Sequence, residues 1–308
     1  MRNEVSEISS YTPVQSSGIS QNLVSRDRNY NELLTLAETV AKSKATVLIL
    51  GEFGAGKRTL AKYIHENSTR AGKPLLSINC REVAVGDQET VFDALVKQAQ
   101  GATLMLAEIW KLASHVQLKL FQILQENHDI RVIATSSRSL ANLVKNAEFR
   151  EDLYYRLNVV NLKIPNLQDR LGDVEFLATR FVQKWGSVHG REGMKLSEDA
   201  VLFLNSHRWP GNIRELDGAC ERAVLLAPDS LVRARDIQIQ QPAERPSAEV
   251  QMATWKPGRT LDEIERNVIL EALKHYTGNR THTAKALGIS IRTLRNKLAE
   301  YRVMGIKA

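Results

Sequence analysis

The chain has 308 residues, of which 43% are apolar and 25% are charged, and its formal net charge is +7. This composition is ordinary for a globular protein and excludes a collagen-like or largely disordered chain. No apolar run reaches membrane-spanning length, so we expect a cytoplasmic protein with no membrane partner, and the positive charge favours an anionic partner. The two cysteines, Cys80 and Cys220, lie far apart in the sequence, which predicts buried, reduced thiols rather than a metal site.

Changes in composition divide the chain into five stretches. Residues 1–22 are rich in Ser and Gln and predict a disordered tail. In residues 23–168 short apolar runs alternate with helical patterns, which predicts an α/β domain with a parallel sheet. The predicted strands are residues 46–50, 75–78, 103–106, 131–135 and 159–164.

The second half of the chain lacks this alternation. Residues 169–239 show helical periodicity and predict a small all-helical subdomain. Its predicted helices are residues 173–185, 197–205 and 213–226. Residues 240–258 contain three prolines and predict a linker, and residues 259–308 predict a final helical unit.

A glycine-rich run with the sequence GEFGAGK follows the first predicted strand and opens a helix. This is the context that a phosphate-binding loop requires, because backbone N–H groups then converge on phosphates at the helix N-terminus. The next residue is Arg58, where a Ser or Thr normally ligates Mg²⁺; its side chain either adds a second cation for the phosphates or points to solvent. The run also fits a glycine turn without a ligand, but its context favours a nucleotide site made by Gly51, Glu52, Phe53, Gly54, Ala55, Gly56, Lys57 and Arg58.

The C-terminal unit reads as three helices. Residues 260–263 form a capping box, which predicts a helix ending near Gly278 and Asn279. The apolar face of that helix is predicted to be Leu261, Ile264, Val268, Ala272 and Tyr276. A short helix follows, and residues 288–290 predict a tight turn with Ser290 capping the last helix. In that helix we expect Ile291, Leu294 and Leu298 to pack inward.

The opposite face of the last helix is basic and amide-rich. Residues 259–308 hold ten Lys and Arg against five Asp and Glu, and a glycine turn before such a helix is typical of a helix that enters the major groove. We expect base contacts from Arg and Asn and phosphate contacts from Lys297 and Arg280; the alternative is a solvated basic appendage. The predicted set that binds double-stranded DNA is Arg280, Thr281, Ser290, Arg292, Thr293, Arg295, Asn296 and Lys297.

Several runs together resemble one family. Residues 51–57, 77–80, 101–109, 117–126, 149–157 (FREDLYYRL) and 209–216 (WPGNIREL) resemble the AAA+ domain of bacterial enhancer-binding proteins. Those proteins activate the sigma-54 form of RNA polymerase and commonly end in a Fis-type helix-turn-helix domain, which residues 278–298 closely resemble. The resemblance implies an AAA+ P-loop domain with a helical lid, ATP as cofactor, dimeric half-sites on DNA and contact with RNA polymerase holoenzyme.

The same resemblance implies roles for single residues. Arg150 and Arg156 match arginines that reach into a neighbouring subunit's ATP site. Arg214 matches an arginine of the lid that senses nucleotide, and Asn79 matches an asparagine that couples to the catalytic glutamate, Glu108.

The sequence also departs from the family pattern. The strand that should end in Asp-Glu ends in Ala107 and Glu108, and alanine has no oxygen for Mg²⁺. Ser136 and Ser137 stand where the family has Thr-Asn. The GAFTGA loop that engages sigma-54 does not occur within residues 81–100, and the hairpin that supports it is missing from residues 127–130. We therefore predict no protein metal ligand and slow or absent hydrolysis.

Three functions remain open at this point. The favoured one is a DNA-binding regulator that binds ATP, does not remodel sigma-54 itself, and assembles as a homo-oligomer or in a mixed ring with an intact paralogue. The second is a conventional ATP-hydrolysing activator, and the third is a nucleotide-independent DNA-binding repressor.

Overall fold

The computed structural model describes residues 23–126, 129–170 and 172–239, with residues 260, 265, 266, 268–270, 272, 273, 276 and 279–303 of the C-terminal part. The chain divides into two compact units, and the boundary in the sequence falls between residues 239 and 240. The predicted tail at residues 1–22, the predicted linker at residues 240–258 and most of the predicted capping box lie outside the described residues.

The first unit alternates strands and helices and then becomes mostly helical. In chain order it contains α1 (Arg28–Ala41), β1 (Val47–Leu50), α2 (Lys57–Glu66), β2 (Leu75–Asn79), α3 (Gln88–Gln98), β3 (Thr103–Ala107), α4 (Ser114–Gln125), β4 (Arg131–Ser136), α5 (Leu140–Lys145), α6 (Glu151–Leu157), β5 (Val160–Lys163), α7 (Asp173–Val188), β6 (Lys195–Leu196), α8 (Glu198–Ser206), α9 (Asn212–Leu226) and β7 (Leu231–Val232).

The five predicted strands form one parallel sheet in the order β2-β3-β4-β1-β5. This confirms the predicted α/β fold. Because the strands are parallel, the carboxyl ends of β1, β2 and β3 meet at one edge of the sheet, where ligands bind in open α/β folds. That edge therefore gathers the glycine-rich run, Asn79 and Glu108.

Helices cover both faces of the sheet, so its strands are apolar on both sides. In β1, Leu48 packs into one core cluster, while Val47 and Ile49 pack into the cluster on the opposite face. In β3, Leu104 and Leu106 share the first cluster and Met105 joins the second. This double burial anchors the strands whose ends carry the site.

The helical subdomain packs α7, α8 and α9 around the buried Trp209. The prediction that it is all-helical was wrong in one detail, because β6 and β7 pair as a short parallel ladder. Two-residue strands are too short to produce a periodic signal in the sequence. Cys220 in this subdomain and Cys80 at the end of β2 are buried and unbonded, as predicted, and burial raises the pKa of each thiol to about 12.

The second unit contains helical residues within 265–273, followed by α10 (Arg280–Ala286) and α11 (Ile291–Val303). As predicted, Ser290 caps α11, because its Oγ accepts from the Thr293 N–H at 3.0 Å. The core of this unit is formed by Ile269, Ala284, Leu294, Leu298 and Tyr301. None of the helices that the structure describes has the length and apolarity needed to cross a membrane.

Two predicted core residues of this unit are exposed instead. Val268 is 37% exposed and Ile291 is 39% exposed, whereas Ile269 is buried. The predicted face of the first helix was therefore displaced by one residue, which rotates a side chain by about 100°. Ile291 is the first residue of α11, next to the capping turn, and the core begins one turn later at Leu294.

Candidate nucleotide site and DNA-binding face

The phosphate loop joins β1 to α2 and depends on its glycines. Gly54 and Gly56 have φ angles of +77° and +100°, a left-handed conformation that residues with a Cβ adopt only at a cost. A Cβ at Gly54 would also overlap the backbone carbonyl oxygen of Gly211, which belongs to the helical subdomain. Glycine at this position thus allows both the bend of the loop and the close approach of the subdomain.

Lys57 is the first residue of α2 and is buried behind the loop. Its Nζ donates to the carbonyl oxygens of Gly51 and Glu52, each at 2.9 Å. The same Nζ lies 3.1 Å from Oε1 of Glu108. Lys57 therefore connects the phosphate loop to the end of β3.

Glu108 follows β3 in a left-handed conformation (φ +56°) and is buried. Its Oε2 accepts from Trp110 Nε1 at 2.7 Å and from both the N–H (3.0 Å) and the hydroxyl of Ser137. Burial alone raises the pKa of this carboxyl, but the Ser137 hydrogen bond, the charge of Lys57 and the Trp110 hydrogen bond outweigh it. The pKa of Glu108 therefore lies below its ordinary value, and the carboxylate is ionised.

Asn79 and Ala107 lie side by side at the ends of β2 and β3. The Asn79 side chain donates to the Glu82 carboxylate and accepts from the Arg81 N–H at 3.3 Å. The resemblance implied that Asn79 couples to Glu108, but no described hydrogen bond joins the two side chains. The Asn79 amide donates instead to Glu82, which lies three residues further along the chain. Ala107 is buried and brings no polar side chain to the edge of the sheet.

The sequence prediction missed two groups of this site. Ser137, counted as a loss relative to the family, is the main hydrogen-bonding partner of Glu108. Asn212, at the start of α9, donates to the Phe53 carbonyl at 3.0 Å and accepts from the Leu167 N–H at 2.8 Å. Asn212 is fully buried with φ +52°. The signal available in the sequence was an asparagine directly after Pro-Gly in the 209–216 run.

A cleft of about 1070 Å³ lies between this edge of the sheet and the helical subdomain. One part of its wall is apolar and includes Leu23, Leu177 and Ile213. The rest is charged and contains loop residues together with Asn79 and Glu108. The predicted residues that line the cleft are Phe53, Gly54, Gly56, Lys57, Arg58, Asn79, Glu108 and Arg214.

Arg150 and Arg156 are not among the residues that line the cleft. Arg150 makes a two-bond contact with Asp152 at 3.1 and 2.6 Å, and this hydrogen bonding raises the pKa of Arg150. Arg156 donates to the Leu124 carbonyl at 3.1 Å. Their predicted role at a neighbouring subunit's site stays a prediction.

The residues fit a nucleotide but do not fit the usual Mg²⁺ site of a phosphate loop. The left-handed glycines, Lys57 and a cleft of this volume provide a cradle for phosphates and a wall for a base. Mg²⁺ requires oxygen ligands, yet Arg58 and Ala107 stand at both positions expected to supply them. Within the described ranges no cluster of three or more His, Cys, Asp or Glu side chains is arranged to hold a metal ion.

The outward face of α11 is formed as predicted, except at Lys297. Arg292, Arg295 and Asn296 are exposed, and their side chains make no hydrogen bond or ion pair with residues that the structure describes. Lys297 instead pairs with Glu265 at 2.8 Å, and this hydrogen bond raises the pKa of Lys297. The exposed remainder of the predicted set is Arg280, Thr281, Ser290 and Thr293.

Three family models match the chain in succession. Residues 23–163 match the sigma-54 interaction domain, residues 168–254 match the AAA+ ATPase lid domain, and residues 260–301 match the bacterial regulatory proteins of the Fis family. The transcriptional regulatory protein FlbD of Caulobacter vibrioides is 40% identical, over 92% of this chain and 71% of that protein. The regulatory protein AtoC of Escherichia coli is 38% identical, over 86% of this chain and 64% of that protein.

A solved structure is similar over nearly the same span. The crystal structure of NtrX from Brucella abortus in complex with ATP superimposes with a TM-score of 0.68 at 26% identity, and covers 90% of this chain and 69% of that one. The chain thus spans roughly two thirds of the length of the proteins that it resembles.

Proposed function

We propose that this chain, which belongs to the sigma-54 interaction family of bacterial transcriptional regulators, binds ATP but hydrolyses it slowly or not at all. The family carries an AAA+ nucleotide-binding fold and a Fis-type DNA-binding domain. One observation carries the proposal: three protein donors occupy Oε2 of Glu108 and Lys57 pairs with Oε1, while the neighbouring Ala107 supplies no side-chain oxygen.

Support for ATP binding comes from the phosphate loop. The loop N–H groups and Lys57 would hold the phosphates, and the apolar wall near Leu177 and Ile213 would hold the base. Bound ATP would supply a transferable phosphoryl group. The structural relative with ATP bound favours the same ligand here.

Support for weak hydrolysis comes from counting acceptor positions. Three donors, namely Trp110 Nε1 and the N–H and hydroxyl of Ser137, fall on Oε2 of Glu108, which has two lone pairs, while Oε1 is paired with Lys57. Oε2 therefore has no free position from which to orient a water molecule for attack, and Oε1 would have to do so while it is paired with Lys57. Phosphoryl transfer also depends on metal and positioned charge, so the barrier should rise by several kcal/mol.

Support for a role without remodelling comes from the connection between β2 and α3. Residues 80–87 link the two directly, and Gln88 ties the connection to the sheet edge. Its Nε2 donates to the Cys80 and Lys111 carbonyls at 3.2 and 3.1 Å, and its Oε1 accepts from the Ala113 N–H at 2.8 Å. A sigma-contacting loop has no room in so short a link, which favours a regulator that acts through DNA and through assembly.

We further propose that the partner in assembly is another subunit of the same family. Arg150 and Arg156 lie outside the cleft of their own chain, which suits donation to a neighbour. In a mixed ring with an intact paralogue, this subunit would supply arginines to an active site that it lacks itself.

The test is ATP turnover and oligomer mass, measured for this protein alone, for a complete enhancer-binding paralogue, and for their mixture. We expect ATP binding without turnover for this protein alone, and a changed mass and rate in the mixture. If mixing altered neither quantity, the mixed ring would be disproved. Turnover by the protein alone that is lost in Lys57→Ala would establish the conventional activator instead, and failure to bind ATP would leave the nucleotide-independent repressor.

A further inference from the structure

The cations that line the cleft fall into two groups. Lys57 pairs with Glu108, and Lys184 pairs with Asp217 at 3.3 Å. Arg170 is bound by Asp173, behind the wall of the cleft. Four arginines of the wall have no carboxylate partner in the described part of the chain, namely Arg58, Arg81, Arg180 and Arg214. The cleft therefore holds an excess of positive charge that its own carboxylates do not offset.

Two of these arginines share one aromatic ring. The guanidinium carbon of Arg81 lies 5.5 Å from the centroid of Phe53, and that of Arg214 lies 5.3 Å from the same centroid. Phe53 belongs to the phosphate loop and is 47% exposed. Arg81 follows the end of β2, whereas Arg214 comes from α9 of the helical subdomain. One ring thus brings a cation from each side of the cleft to the phosphate loop.

The Phe53 ring holds two guanidinium groups of the same charge on one loop. Each cation–π contact attracts its arginine to the ring, while the two like charges repel each other, and an anion bound to both removes that repulsion. The nearest carboxylate in sequence, Glu82, already accepts from Asn79. A guanidinium group matches phosphate oxygens with two parallel N–H bonds, so a polyphosphate is the anion that this pair fits.

We propose that Arg81 is a ligand for the terminal phosphate of ATP. The Phe53 ring positions Arg81 and Arg214 side by side, and the charges of these two arginines take the place of a metal ion in neutralising the phosphate. The inference rests on the proposed ATP binding. It assigns a function to Arg81, which sequence reasoning did not select, and to the exposed aromatic residue of the loop. It also explains how a site with Ala107 and Arg58 at the metal positions can hold a triphosphate.

The test measures equilibrium binding of ATP and of ADP to the full chain by calorimetry, in EDTA and in Mg²⁺. The variants are Arg81→Gln, Arg81→Lys and Phe53→Leu, and the control is Lys97→Gln, which removes one exposed cation from α3 outside the cleft. In EDTA we expect Arg81→Gln to weaken ATP at least about tenfold and ADP far less. Phe53→Leu should weaken ATP by a smaller factor, Arg81→Lys should lie between Arg81→Gln and the unmodified protein, and Lys97→Gln should bind normally.

The outcomes separate this inference from the proposal on which it rests. If the unmodified protein binds ATP in EDTA and Arg81→Gln binds it equally well, the role of Arg81 is disproved while ATP binding stands. Equal loss of ATP and ADP in Arg81→Gln, with a lowered melting temperature, would also disprove a terminal-phosphate contact. If the unmodified protein binds neither nucleotide, both proposals fail together.

Discussion

The phosphate loop and the end of β3 line the same cleft, but they bring different chemistry to it. The loop contributes backbone groups, two left-handed glycines and the ammonium group of Lys57. The end of β3 contributes Ala107 and a carboxylate whose Oε2 is held by three protein donors. Binding of a nucleotide draws on the first region, and its hydrolysis would draw on the second.

This difference between the loop and the end of β3 shows that nucleotide binding is shared among many groups, whereas hydrolysis depends on few. Many backbone groups share the binding of phosphates, so a single change such as Arg58 need not abolish it. Hydrolysis depends on a few oxygens at one strand end, and the loss of one of them changes the reaction barrier directly. The proposed function separates these two activities, and the following variants test that separation.

The largest effect is expected at the loop glycine that contacts the helical subdomain. Gly54→Ala adds a Cβ at a left-handed φ and against the Gly211 carbonyl, so it should lower the free energy of unfolding by about 3 kcal/mol. Gly72→Ala is the matched control, because a Cβ there meets no atom within 4 Å. Equal melting temperatures for the two variants would show that the subdomain does not pack on the loop as described.

Lys57→Ala tests the binding region through its charge. Loss of the ammonium group should weaken ATP by about 100-fold, because charged hydrogen bonds to phosphate are lost. The variant also leaves Glu108 without its ion-pair partner, so unfolding should be followed alongside binding. Retained affinity would mean that the loop N–H groups and the arginines of the cleft hold the phosphates without Lys57.

Trp110→Phe tests the hydrogen bonding of Glu108 at the end of β3. It removes one donor to a buried carboxylate and should lower the free energy of unfolding at neutral pH by about 1–2 kcal/mol. The pKa of Glu108 in the folded protein lies below the ordinary value of 4.5, so its stabilising contribution is present above that value and is lost as the pH falls through the folded pKa. In Trp110→Phe the folded pKa rises, and the loss should begin at a higher pH.

Chemical denaturation between pH 3 and pH 7 measures this effect. The difference between the variant and the unmodified protein should shrink towards the acid end of the series. A difference independent of pH would show that Trp110 acts only through packing. A rise in ATP turnover in the same variant would show that Trp110 had also restrained Glu108.

The last pair of variants lies in the DNA-binding unit, where no nucleotide chemistry is involved. Arg295→Ala should reduce the preference for specific over random DNA by about 1–3 kcal/mol, since an exposed arginine can read base edges. Lys297→Ala should mainly reduce the salt dependence of binding, and by less than a free lysine would, because Glu265 already neutralises Lys297. Equal losses on both DNAs for both variants would show that the face of α11 is assigned wrongly.

The elements of the fold were predictable because their signals are local. Periodicity and turn residues placed both ends of each strand from β1 to β5 within one residue, and the run from Gly51 to Lys57 identified the phosphate loop from its position after a strand. The partners of Glu108 were not predictable in this way. Ser137, Trp110 and Lys57 reach it from three different segments, so only the packed structure shows how the carboxylate is held.

Similar reasoning explains the misplaced residues of the C-terminal unit. Val268 and Ile269 are equivalent in hydrophobicity, and only the position of α10 and α11 decides which of them faces the core. The Asn79 side chain was open to several acceptors, and the local turn that brings Glu82 towards it decided the outcome. The first outcome thus depends on tertiary packing and the second on a local turn, and the sequence pattern alone distinguishes neither.

Asn212 ties the start of α9 to the phosphate loop. One amide joins the phosphate loop through Phe53 and the inter-subdomain connection through Leu167, and it stands at the first turn of a 15-residue helix. At 1.5 Å per residue α9 is about 22 Å long. A tilt of about 5° about its first turn would therefore displace the far end of α9 by about 2 Å, so a slight adjustment of the loop, passed on through Asn212, would be enlarged at the distant end of the helix.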